Sequence, residues 1–198
     1  STVWTVTPDS PPVNFPGDYS ELYKTMAQEV GTYTGDVTLD GGDPENPIIF
    51  PSATYPYAYI QGNLTIWTNS YVRLTSTIYV TGTIELKPGS QLDGTENILA
   101  EGDIDITGGA YTSTLIPVVI SKDGSILCKG GGSGKNIINA VVYAPNGSVT
   151  IQAGALLYGA VGANIVYITN STVTYAAELH GRQDLPGGEL STISYIYK

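Results

Sequence analysis

The chain has a single cysteine, Cys128, so no disulfide within it is possible. No apolar run approaches the ~18 residues of a membrane span. Arginine occurs only at Arg73 and Arg182, and eight Lys and Arg face eighteen Asp and Glu, a formal charge of −10. A nucleic-acid partner is therefore excluded, because phosphate binding needs clustered cations. Charged residues make up only 13% of the 198-residue chain, and Phe and Met are nearly absent. Polarity comes instead from Thr, Ser, Asn, Gly and Tyr. Glycine (24) and tyrosine (15) point to strands and turns rather than helix bundles.

What is present is a period. AYIQGNLTI around Gly62, IYVTGTIEL around Gly82 and ILAEGDIDI around Gly102 share one pattern, apolar-x-apolar-x-Gly-x-apolar-x-apolar, with the glycines 20 residues apart. Such a period in a strand-like pattern marks a solenoid whose turns stack on one another. Ala58/Ile60, Ile78/Val80 and Ile98/Ala100 precede the glycines on one face; Leu64/Ile66, Ile84/Leu86 and Ile104/Ile106 follow them. Stacking should superpose these at about 4.8 Å, with the glycine turning a corner between two inward-facing strands.

Longer variants follow around Gly124 and Gly147. They place Val118, Ile120, Ile126 and Cys128, then Val141, Tyr143, Val149 and Ile151, inside. A sixth copy, GAVGANIVY, puts Ala163 at the corner and Val161, Ile165 and Tyr167 inside. Weaker strands such as 71–75 complete roughly three sides per turn. The expected fold is all-β, a single-stranded parallel β-helix of about six coils, right-handed, with a short N-terminal capping α-helix.

The whole of 1–198 reads as one domain. Residues 1–17 are an edge-strand lead-in with four prolines. Residues 18–31 are the capping helix: Asp18 and Glu21 open it, Leu22, Tyr23, Met26, Ala27 and Val30 form its apolar face, and Gly31 stops it. Residues 57–175 are the regular coils. Residues 176–198 are a closing strand, set to cap the second end or pair with the N-terminal strand.

Candidate sites are few. KGGGSGKN at 129–136 lacks phosphate-loop spacing, has Asn136 where Ser or Thr is required, and precedes no helix pattern. It reads as a surface loop. Asp103 and Asp105 point outwards on one strand with Glu85 a rung below Asp105; like charges so stacked repel, and Ca²⁺ would relieve them. Asp36, Asp40, Asp43 and Glu45 form a second acidic group in a turn-rich stretch. The bland reading of both is a solvated acidic face.

Lyase chemistry would need a base near such acids, and only Arg73 and Lys87 stand in the early coils. Glycosidase chemistry needs two carboxylates ~5–9 Å apart, which Glu85/Asp105 or Glu101/Asp103 meet on distance alone. His180 lies in an irregular tail with no nucleophile pattern. Cys128 is a core position. No catalytic residue is assigned, and the chain reads as a non-enzyme.

Tyr71, Tyr79 and Tyr111 are read as outward-facing, able to stack on sugars or on another protein. Asn63, Asn146 and Asn170 head glycosylation sequons. The start at Ser1 fits removal of a leading segment, and the Thr-, Tyr- and Gly-rich acidic composition fits an extracellular, cell-surface protein.

The stretch AVVYAPNGSVTIQAGALLYGAVGANIVYITNSTVTY, residues 140–175, resembles a β-helical domain of unknown function found in prokaryotic PilX-type pilus-assembly and cell-surface proteins. YAPNG at 143–147, the following SVTI, GAVGANIVYI and Tyr175 carry the resemblance, together with YSELYKTMAQEVGTYTG at 19–35. The likeness covers roughly 18–178 and departs at Ala176-Ala177-Glu178-Leu179. It implies a pilus or envelope setting and no catalytic residues. Three functions follow as expectations: a structural or adhesive module, a carbohydrate-binding or carbohydrate-active β-helix, or a filament subunit pairing through terminal strands. The partners are then envelope or pilus proteins, other copies of the chain, or a surface polysaccharide.

Overall fold

The structure is a computed structural model and describes residues 20–108, 110–112, 116–130 and 137–179. The lead-in at 1–17, the Asp18 helix start, the Gly-rich loop at 131–136, His180, Arg182 and the closing strand expected after 180 lie outside the described residues.

Short strands alternate with corners, and each turn of the chain lays down three sides. The first turn is β1 (Thr32–Thr34), β2 (Val37–Leu39) and β3 (Ile48–Phe50). The second is β4 (Tyr59–Gln61), β5 (Leu64–Ile66) and β6 (Tyr71–Leu74). The third is β7 (Ile78–Val80), β8 (Ile84–Leu86) and β9 (Gln91–Asp93); the fourth is β10 (Ile98–Ala100), β11 (Ile104–Thr107) and β12 (Ala110–Thr112). Next come β13 (Val118–Ser121) and β14 (Ile126–Lys129). Two long strands, β15 (Ile137–Gln152) and β16 (Leu156–Thr169), then bend continuously around the stack, and β17 (Thr172–Tyr175) closes it.

Every pairing among these strands is parallel, each with its counterpart one turn earlier or later. The protein is a parallel β-solenoid of about six turns. Ile60 pairs with Val80, and Val80 with Ala100, so the corners at Gly62, Gly82 and Gly102 are equivalent.

The core is a set of stacked columns. On the second side they run Val37, Leu64, Ile84, Ile104, Ile126, Val149 and Leu39, Ile66, Leu86, Ile106, Cys128, Ile151, all buried. β-Branched residues dominate because they fill a pleated surface with little rotamer freedom to lose. The corner glycines serve closeness rather than unusual backbone angles. A Cβ on Gly82 would stand 2.6 Å from the Gly62 carbonyl oxygen, and one on Gly102 2.9 Å from that of Gly82. The bare backbone lets each corner N–H donate to the corner beneath, Gly82 to Gly62 and Gly102 to Gly82, both at 2.9 Å.

Three expectations are corrected. First, Ile120 and Tyr143 are not inward-facing. Ile98 and Ala100 pair with Val119 and Ser121, and Val119 with Val142, so the inner residues sit one place later than expected. An extra residue at each later corner shifts the phase, and a one-residue shift reverses the facing of a strand. Ser121 is tolerated inside because its hydroxyl donates to the Gly102 carbonyl at 2.8 Å. Second, Ile165 and Tyr167 do not face inward: Val166 and Ile168 pair with Val149 and Ile151 and so take the core columns. The corner falls at Asn164, not Ala163.

Third, α1 (Ser20–Val30) does not bury its expected face. Only Ser20, Tyr23 and Ala27 are buried, while Leu22, Met26 and Val30 are exposed. The helix lies against β4 and β7, on the flank of the stack rather than over its end. There it covers Tyr59 and Tyr79, which face away from the core, and Glu21 reaches Lys122 at 3.9 Å.

Candidate functional site

The outward surface of the second side carries most of the candidate residues. Its middle column runs Thr65, Glu85, Asp105, Leu127, Thr150 and Tyr167. Glu85 and Asp105 are direct neighbours on successive rungs, as their spacing suggested. Asp103, Asp105, Ser125, Leu127 and Thr150 line a shallow depression of about 300 Å³.

Each of these carboxylates has a protein partner. Glu85 accepts from the Lys87 ammonium at 2.5 Å, and Asp105 accepts from the Thr107 hydroxyl. Asp103 accepts the Ser125 backbone N–H at 2.7 Å. The Glu85–Asp105 repulsion is thus balanced by a neighbouring lysine, and among the described residues no three His, Cys, Asp or Glu side chains gather where a metal would sit. The other groups weighed for catalysis are engaged too: Glu101 accepts from the Tyr79 hydroxyl at 2.8 Å, and Arg73 donates to Asp93 at 3.1 Å.

Asp103 belongs to a series. The residue after each corner glycine is small and polar: Asp36, Asn63, Thr83, Asp103, Ser125 and Ser148. Asp36 accepts from the Asn63 N–H at 2.8 Å, Asn63 from Thr83 N–H at 2.8 Å, and Ser125 from Ser148 N–H at 3.1 Å. Side chains thus tie these four pairs of successive corners together. The signal was legible as a Gly-[Asp/Asn/Ser/Thr] dipeptide recurring with the period. In the second acidic group, Asp43 accepts the N–H groups of Glu45 and Asn46, both at 2.8 Å, and so closes its own turn.

The three tyrosines separate. Tyr71 is half-buried at an outward position beside Gln91. Tyr79 is not a surface contact: it is 0% exposed beneath α1. Burial first, then the bond to Glu101, pushes its hydroxyl pKa well above the ordinary tyrosine value. Tyr111 takes the register position between Leu92 and Ile138, both residues of the inward column; its side chain lies outside the described residues.

Cys128 is buried in the core, where desolvation and nearby Asp105 push its thiol up to about 12. That is the opposite of an activated nucleophile. An aromatic the pattern did not single out, Trp67, is 47% exposed at the edge of the same surface, with the Lys87 ammonium 6.0 Å from its ring centre.

Stacked parallel coils, a dry core of matched columns and a flat polar outer side define a parallel β-solenoid. Residues 54–182, well over half of the chain, match the family described as a domain of unknown function (DUF7305), and the chain belongs to that family. No curated protein and no solved structure matches it.

Proposed function

We propose that this protein is a non-catalytic structural or adhesive module of the cell exterior, attached to a pilus or the envelope. Its role in this reading is to present the rigid, acidic, Thr-rich second side to a partner. The observation that carries it is the use made of the carboxylates. Asp36, Asp103, Glu85, Asp93 and Glu101 each hold a neighbouring strand, corner or side chain. Acids used this way tie neighbouring strands and corners together and stiffen the surface. The resemblance of 140–175 to PilX-type surface proteins supports the same setting.

The test is to display the full chain on beads and probe it with isolated envelope and pilus fractions. Capture that is lost when Glu85, Asp105 and Thr150 are replaced together supports the reading. Capture indifferent to that surface, or turnover of a polysaccharide by the purified chain, sinks it.

A second reading, a carbohydrate-binding surface, is favoured by exposed Trp67 beside Lys87 and Glu85, since a sugar ring can stack on indole while polar neighbours take its hydroxyls. Titration of neutral and acidic oligosaccharides against tryptophan fluorescence tests it. A saturable change abolished in Trp67→Ala supports sugar binding; no change in either chain removes it.

A further inference from the structure

The carboxylates of the second side are each satisfied on one oxygen only. Glu85 Oε1 accepts from Lys87, Asp105 Oδ1 from the Thr107 hydroxyl, and Asp103 Oδ1 from the Ser125 N–H. Glu85 Oε2, Asp105 Oδ2 and Asp103 Oδ2 take no donor among the described residues. Apolar surface stands at both ends of this row of open acceptors. Exposed Trp67 is at one end. At the other, half-buried Leu127 shares the depression of about 300 Å³ with Asp103, Asp105, Ser125 and Thr150.

Thr65, Glu85, Asp105 and Leu127 are neighbours on successive rungs, and Trp67 lies two residues beyond Thr65 on the first of them. Trp67 is therefore three rungs, about 14 Å, below Leu127 and about 7 Å to its side, a slanted path of about 16 Å.

We infer, on the carbohydrate-binding reading above, that this path holds a linear neutral oligosaccharide of about four pyranose units, stacked on Trp67 at one end and seated against Leu127 at the other. A pyranose has an apolar C–H face for indole and leucine, and hydroxyls that donate to the open carboxylate oxygens. Units joined through opposite sides of the ring advance by roughly one rung spacing, ~5 Å, so successive sugars meet successive rungs. An acidic glycan would set its charges against Glu85, Asp103 and Asp105, while Lys87 is already committed to Glu85. A basic peptide is disfavoured at Trp67, because the Lys87 ammonium, 6.0 Å from the ring centre, repels a second cation there.

Calorimetric titration of the full chain tests this. The probes are neutral oligomers of glucose, xylose, mannose and N-acetylglucosamine, two to six units long, beside oligogalacturonate and oligolysine. In at least one neutral series, affinity should rise at least about 10-fold from two units to four and then level off, as linked contacts do once both ends are engaged. Trp67→Ala should weaken every length, and Leu127→Ser should weaken only four units and longer.

No binding of any sugar would sink the carbohydrate-binding reading and this path together. A disaccharide bound as tightly as a tetrasaccharide, indifference to Leu127→Ser, or equal binding of oligogalacturonate would leave sugar binding standing and overturn the path. Binding of oligolysine alone would assign the face to a basic partner and overturn both.

Should Leu127→Ser fail to fold, amide chemical shifts of the unaltered chain decide. The tetrasaccharide should move resonances of 65–67, 85–87, 105–107 and 125–127. Shifts confined to the rungs of Trp67 and Lys87 would refute the extended path.

Discussion

Ile151 and Ile168 occupy the same column on successive rungs, yet the first is 0% exposed and the second 42%. Their strands, neighbours in sequence and side-chain chemistry are alike. The difference is that Ile151 has a rung on each side of it, and Ile168 has a described rung on one side only. Burial in a solenoid is conferred by the adjacent turn, so each interior residue is stabilised by contacts that its own strand cannot supply. The same holds for polar groups. Asp103 and Asn63 are matched because the next corner brings an N–H to them.

The contrast can be broken by substitution. Ile151→Ala should cost about 2–5 kcal/mol, since it opens a cavity between two turns. Ile168→Ala, with part of its surface already in water, should cost clearly less. Denaturant unfolding of both variants measures this, and equal losses would mean that the last turn is as well covered as the interior. Gly82→Ala should be next, at about 1–3 kcal/mol, because the added methyl meets the Gly62 carbonyl and separates two corners. The same change at Gly154, where a Cβ meets nothing within 4 Å but φ is +83°, tests backbone strain without crowding.

Smaller effects sharpen the picture. Asp103→Ala should lose about 0.5–1.5 kcal/mol by releasing the Ser125 N–H, and Asp103→Asn should recover most of it, because an amide oxygen can accept the same bond. A melting-temperature comparison of the pair checks this. Cys128 should add no pH dependence to stability near neutral pH. Its folded pKa, about 12, lies above the ordinary value of 9.0, so its contribution is complete below pH 9 and is lost as pH rises towards 12. Alkylation at pH 8 should therefore wait for unfolding, and rapid labelling of the native chain would contradict a closed core.

Two sides of the solenoid explain what could be read in advance. On the second side LTI, IEL and IDI alternate buried and partly exposed residues, so the inward set was legible at once. On the first side IYV, ILA and VVIS are buried throughout. Where both faces of a sheet are covered, hydrophobicity no longer reports facing. That is why alternation misassigns Ile120 and Tyr143 to the interior; Tyr79 does face outward, and α1 buries it. Trp67 was passed over because it stands where the repeat has no apolar requirement. The partners of Glu85 and Glu101 were hidden because Lys87 and Tyr79 lie on the solvent and helix sides of the strands.

The 20-residue period, the glycine corners and the alternating second side were enough to determine the architecture, because a parallel stack demands the same residue types at the same place in every turn. Facing on the first side, the corner phase after Gly124 and the exposure of the final rung were decided only by tertiary structure. Each depends on which other segment lies against a strand, a fact that no local pattern contains.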